Sequence, residues 1–154
     1  MTETYTVVRS IEIAAPPARI YEKIADFHNW TQWSPWEDVD PALQRHYSGA
    51  PAGPGAAYSW SGNKQAGVGR MEIVSAQEPS DVKIDLAFEK PFKSRNEIMF
   101  RVEPAADGSR VTWTMIGPKS LGIRLMGIFK SMDQMIGPDF EKGLGRLKTV
   151  SEAA

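Results

Sequence analysis

The sequence predicts an α+β fold: a seven-stranded, curved antiparallel sheet wrapped around a long C-terminal helix, with short helices between strands 1 and 2. Three observations predict it. Between Leu43 and Ile116, short runs of β-type residues alternate apolar with polar and are punctuated by glycine-containing turns. From about Ser120 the apolar spacing changes to three and four residues, the period of a helix. Between the first strand and the rest lies a proline-opened helix and a tryptophan-rich segment that fits neither period.

The elements follow in order. Tyr5 to Ala14 reads as strand 1, with Ile11 and Ile13 opposed by Ser10 and Glu12. Pro16 and Pro17 stop it and open a helix, because a first helical turn leaves its amides unpaired anyway. Ile20, Ile24 and Phe27 recur at helical spacing, and this helix should end near Asp26. Residues 27–41, FHNWTQWSPWEDVDP, suit one or two short turns, since Pro35 and Pro41 break any long helix. Six further strands are expected at Leu43–Ser48, Ala56–Ser61, Val68–Gln77, Val82–Phe88, Ser94–Glu103 and Arg110–Ile116. Ser61-Gly62-Asn63-Lys64 and Asp107-Gly108 supply two of the turns between them. In the final helix Leu121, Leu125, Phe129, Met132, Ile136, Phe140, Leu144 and Leu147 draw one apolar stripe. Pro138 interrupts it, so a kink or brief break is expected there.

Composition bounds the chemistry. A chain of 154 residues suits a single domain spanning 1–154, with its core over about 5–149. Eighteen Lys plus Arg against 19 Asp plus Glu leave a formal charge of -1, which argues against a nucleic-acid partner held by phosphate neutralisation. Zero cysteines exclude disulfides, thiolate metal sites and cysteine nucleophiles. The two histidines, His28 and His46, stand 18 positions apart without ligand spacing, so no metal or other cofactor is expected. GVGRM at 67–71 lacks the fuller nucleotide-binding patterns, and no GxSxG occurs. Residues 1–15 lack a basic n-region and a continuous apolar run, and no stretch reaches the roughly 20 residues that cross a bilayer. The expected location is cytoplasmic, without stable membrane insertion; monomer and homodimer stay equally open.

The segments IEIAAPPARIYEKIADFHNWTQWSPW at 11–36, GVGRMEI at 67–73, GSRVTWTM at 108–115 and MGIFKSMDQMIGPDFEKGLGRLK at 126–148 resemble the START-like, or SRPBCC (Bet v 1-like), superfamily. Within it the chain is similar to the polyketide cyclase/dehydrase-like branch. The resemblance implies the helix-grip fold, with a cavity between sheet and long helix that binds a small hydrophobic or amphipathic molecule. The alternatives it carries are a cyclase or dehydratase, and an accessory protein-interaction domain without a ligand. No catalytic motif is shared across the superfamily, so none is transferred.

The residues nominate the site. Trp30, Trp33 and Trp36 are expected at the cavity mouth, offering flat apolar surface and an indole donor; the alternative is that they pin an irregular segment to the core. Trp60, Leu86, Phe88, Phe100, Trp113 and Met115 are expected to line the cavity from the strands, and Phe129, Met132 and Ile136 to cover it from the helix. His46 and Tyr47 are consecutive on one strand and face opposite ways, so only one points inward. With Glu72 and Asp85 they are the candidate proton-transfer groups, conditional on burial near the cavity. A solvated sheet face is the competing account for Glu72, as for Arg70, Glu97 and Arg101.

Overall fold

The computed structural model describes residues 4–90, 93–118 and 132–153. Strand β1 (Thr4–Ile13) is followed by helix α1 (Pro17–Ala25) and a 3-10 helix (Phe27–Gln32). Six more strands follow: β2 (Gln44–Gly49), β3 (Ala56–Ser61), β4 (Val68–Gln77), β5 (Asp81–Lys90), β6 (Ser94–Ala105) and β7 (Gly108–Pro118). Helix α2 (Met132–Glu152) closes the described chain. The seven strands form one antiparallel sheet in the order β1-β7-β6-β5-β4-β3-β2. This is the helix-grip arrangement, and each expected strand is present within three residues of its expected ends.

Alternation decides which side of the sheet is buried. On β5, Val82, Ile84 and Leu86 are buried while their neighbours are not. Across strands the inward residues line up: Tyr47 opposes Tyr58, Tyr58 opposes Met71, Met71 opposes Leu86, and Leu86 opposes Asn96. Helix α1 buries Ile20, Tyr21, Ile24 and Ala25, one face of an amphipathic helix opened by Pro17. The Asp107-Gly108 signal sits in a tight hairpin in which Ala105 opposes Gly108.

Helix α2 packs along β1 and also meets β7 through an aromatic stack. The Trp113 ring on β7 lies parallel to Phe140 at 3.9 Å between centroids, with 5° between planes. Phe100 of β6 stacks on it at 4.8 Å. Phe140, Leu144 and Leu147 are all essentially buried. Gly143 lets the helix come this close, because a Cβ there would sit 3.0 Å from Trp113 Cζ3 and 2.8 Å from Pro35 Cδ.

Helix α2 continues through Pro138, so of the expected kink or brief break the break does not occur. Contacts from β1 bracket the proline. Arg9 occupies an inward-facing position, and its guanidinium grips the helix on both sides of the proline. Nη1 and Nη2 donate to the Asp133 carboxylate at 2.7 and 3.0 Å, and Nε donates to Glu141 at 3.0 Å. Gly137 leaves room for that guanidinium, since a Cβ there would lie 2.1 Å from Arg9 Nη2. The helix also extends to Glu152, past the expected end near 148. Its expected first turns, with Leu121, Leu125, Met126 and Phe129, lie outside the described residues.

The stack is therefore one fastening between helix and sheet, beside the Arg9 contacts from β1. Phe140→Ala is expected to lower unfolding free energy by about 3–5 kcal/mol, through lost burial and the cavity left beside Trp113. Phe140→Leu should cost less, because it refills most of that space. Urea denaturation of the two variants checks the order; equal, negligible losses would contradict it.

Candidate functional site

Beside the stack, the concave face of the sheet leaves a cavity of about 180 Å³. The sheet contributes Tyr58, Trp60, Met71, Leu86, Phe88, Ile98, Trp113 and Met115 to its wall. The segment after α1 adds Phe27, Trp30, Ser34, Trp36, Glu37, Val39 and Leu43; the β3–β4 turn adds Gln65 and Ala66, and α2 adds Ile136. Trp36 is 37% exposed and Gln65 is exposed, so the wall reaches solvent there.

The segment 27–43 is irregular for a local reason and is fastened at several points. The Asp26 side chain accepts from the His28 amide and caps the 3-10 helix. Trp30 Nε1 donates to the Ile24 carbonyl at 2.9 Å, and Trp33 Nε1 to the Lys23 carbonyl at 3.0 Å. Arg146 of α2 reaches over to the Ser34 carbonyl at 3.0 Å and to Asp38 at 2.5 Å. That hydrogen bond and charge hold the Asp38 carboxyl below its ordinary range.

Most of the wall is apolar, and its polar part is concentrated. Glu37 lines the cavity and pairs with Arg45 of β2. Tyr58 lies in the same corner, where burial, then the Glu37 charge, pushes its phenol up to about 12. Tyr47 packs on Tyr58 at 5.2 Å and is itself raised, chiefly by burial. On its other side Tyr47 stacks on the exposed His28 ring, whose Nδ1 lies 2.8 Å from Asp26. At the β1 edge of the same concave row, Tyr5 donates to Asn96 at 2.5 Å; both are buried.

The tryptophans separate by depth. Trp30, Trp36, Trp60 and Trp113 are in the wall, as are Leu86, Phe88, Met115 and Ile136. Trp33 and Phe100 are not: both are 0% exposed and lie behind the wall, against Trp30 and Trp113. Met132 packs on the core without reaching the cavity wall. Phe129 lies outside the described residues.

The four proton-transfer candidates are not brought together. His46 is exposed while Tyr47 turns inward. Glu72 and Asp85 oppose each other on the outer face of the sheet, where Glu72 pairs with Arg70 at 3.2 Å and Asp85 pairs with Arg95. Burial, the condition for either carboxyl to act at the cavity, is not met. Arg101 and Glu97 are likewise outer-face residues, paired with Glu103 at 3.2 Å and Lys83 at 3.0 Å. Arg9, Glu37, Arg45, Tyr58 and the Tyr5–Asn96 pair escaped the sequence reading. Strand parity carried a signal for Arg9, which shares the side of Val7, Ile11 and Ile13.

Among the described residues no three His, Asp or Glu side chains gather in a way that would hold a metal ion. No described helix is long and apolar enough to cross a membrane.

A sequence profile for the family described as "polyketide cyclase / dehydrase and lipid transport" matches residues 4–152. Solved structures share the fold. CV1439 from Chromobacterium violaceum is 13% identical, with a TM-score of 0.69 and 96% of each chain covered. Ara h 8.0201 is 11% identical, with a TM-score of 0.68, covering 99% of this chain and 100% of that one. DynU16, of the dynemicin biosynthetic locus, is 16% identical with a TM-score of 0.64, covering 94% of this chain and 46% of that one. Among curated proteins, none matches the sequence.

Burial raises all four tyrosines, Tyr5, Tyr21, Tyr47 and Tyr58. A raised phenol favours the folded state while it keeps its proton. That stability is complete below the unfolded value near 10 and is lost as pH climbs through the folded one, about 12 for Tyr58. Tyrosinate absorbance of the folded protein should therefore show no component with a midpoint at 10, and stability should fall from pH 10 upward. A tyrosine ionising at 10 before unfolding would contradict this packing.

Proposed function

The chain belongs to the polyketide cyclase/dehydrase and lipid transport family, and from that premise we propose that it encloses a small hydrophobic or amphipathic molecule in the cavity beside Trp113. The observation that carries this reading is the wall itself. It is predominantly aromatic and aliphatic, it reaches solvent at Trp36 and Gln65, and its polar groups are confined to a few positions. Such a chamber takes up apolar surface and uses sparse polar groups to orient it. A guest with the area of an aromatic side chain, roughly 150–250 Å², gains about 4–6 kcal/mol on leaving water. Association itself costs at least about 4 kcal/mol. Useful affinity therefore requires close fit and at least one well-placed polar contact.

Cyclase or dehydratase chemistry is less well supported. It needs a group that moves a proton at the cavity: His46, Glu72 and Asp85 face elsewhere, and Tyr47, which turns inward, has its phenol pushed up by burial and so holds its proton more firmly. The carboxylate that does reach the wall, Glu37, is engaged by Arg45.

Native mass spectrometry of gently purified protein, followed by extraction, is expected to reveal a retained small molecule. The apolar dye N-phenyl-1-naphthylamine should bind and raise the melting temperature. Leu86→Trp, which fills the chamber from β5, should weaken dye binding at least about tenfold, the effect of losing 1.4 kcal/mol, while the protein stays folded. Unchanged dye binding in that variant would place the dye elsewhere and remove support for the cavity.

A further inference from the structure

Resting on the cavity reading above, one corner of the wall narrows the guest. Among the described wall residues Glu37 is the only carboxylate, and no lysine, arginine or histidine joins it. Arg45 of β2, across from Trp60 and on the same side of its strand as Tyr47, binds Glu37 Oε2. Glu37 Oε1 accepts no hydrogen bond from the described residues. Nor is it one of the buried polar atoms that lack a partner, which are Trp113 Nε1 and Ser151 Oγ. The Glu37 side chain keeps 16% of its surface open. One carboxylate oxygen is therefore engaged, and the other is an accessible acceptor on a residue of the cavity wall.

The charge around that oxygen decides what it takes. Arg45 already balances Glu37, so a guest ammonium would leave water for an acceptor that is largely neutralised. A guest carboxylate would set a second negative charge against the first. A hydroxyl avoids both costs, since it donates a proton and carries no charge. Tyr58 shares the corner and lies beside Arg45. Burial keeps its phenol protonated, so it can donate in turn to the oxygen of the guest's hydroxyl.

Size and lining supply the other half. A cavity of about 180 Å³ is only slightly larger than the roughly 150 Å³ that accepts benzene, so the body of the guest is compact. Met71, Leu86, Phe88 and Ile98 offer that body apolar surface alone. We propose that the chamber takes a compact, uncharged alcohol or phenol whose hydroxyl donates to Glu37 Oε1, in preference to a carboxylic acid of the same outline.

Three probes of one outline test this: 2-naphthalenemethanol, 2-ethylnaphthalene and 2-naphthoate, each measured by displacement of N-phenyl-1-naphthylamine from the full-length protein. The alcohol and the ethyl compound have nearly the same shape, and an apolar chamber alone would favour the ethyl compound. The alcohol should instead bind at least about fivefold tighter, because a hydrogen bond to a charged group is worth more than a neutral one. Naphthoate should bind weakest. In Glu37→Met, which keeps the length of the side chain and removes both oxygens, the advantage of the alcohol should disappear. The ethyl compound should stay within about twofold of its original affinity. If that variant fails to fold, the wild-type order of alcohol and ethyl compound still decides. An ethyl compound or a naphthoate that binds as tightly as the alcohol, or an advantage that survives in Glu37→Met, would overturn the inference and leave the cavity reading standing. A bound dye that no probe displaces would do the same. Binding of neither dye nor probes would overturn both.

Discussion

The Trp113 stack fixes how closely β7 and the final helix approach each other. With Phe100 beneath and Phe140 above, three rings are stacked in series from β6 through β7 to α2. A stack of this kind is stiff: ring contacts cannot be compressed, and opening them exposes a large apolar area. The helix is then steered by two guanidiniums. Arg9 fixes its first described turns across Pro138, and Arg146 ties its later turns to Ser34 and Asp38. The cavity is the space this spacing leaves next to the stack, under the concave row from Tyr47 to Leu86.

The two faces of the sheet have different tasks. Outside, Glu72, Asp85 and Glu97 form exposed ion pairs with neighbouring cations, which contribute little to stability and keep the surface wet. Inside, alternate positions on the same strands carry Met71, Leu86 and Ile98, which make the chamber's wall apolar. A one-residue slip in any of these strands would exchange the two sets. The pairing of β3 with β4 and of β4 with β5 therefore protects the apolar wall as much as the fold.

Much of the architecture was legible in the sequence because it depends on local periodicity. Val82 to Phe88 reads as a half-buried strand on alternation alone, and the Pro16-Pro17 pair announces α1 before any contact is considered. Depth was not legible. Alternation says that Phe100 points inward, but only the curvature of the sheet decides that it lies behind Trp113 instead of in the wall. Trp33 and Trp36 are three residues apart in an aperiodic segment, and one is 0% and the other 37% exposed. The Glu37–Arg45–Tyr58 corner joins three separate stretches of chain, so no spacing could reveal it. The ion pairs that bracket Pro138 come from an arginine more than 120 positions earlier, which the helix sequence cannot show.

A chamber beside Trp113 that admits an apolar guest without dismantling the stack is the central requirement of the cavity reading. Crystals pressurised with xenon measure this directly, because xenon enters apolar cavities and ignores polar ones. Xenon density enclosed by Met71, Leu86, Ile98 and Trp113, with the Trp113–Phe140 spacing unchanged, is the predicted result. A chamber filled with ordered water, or one that excludes xenon because its walls have met, would contradict it.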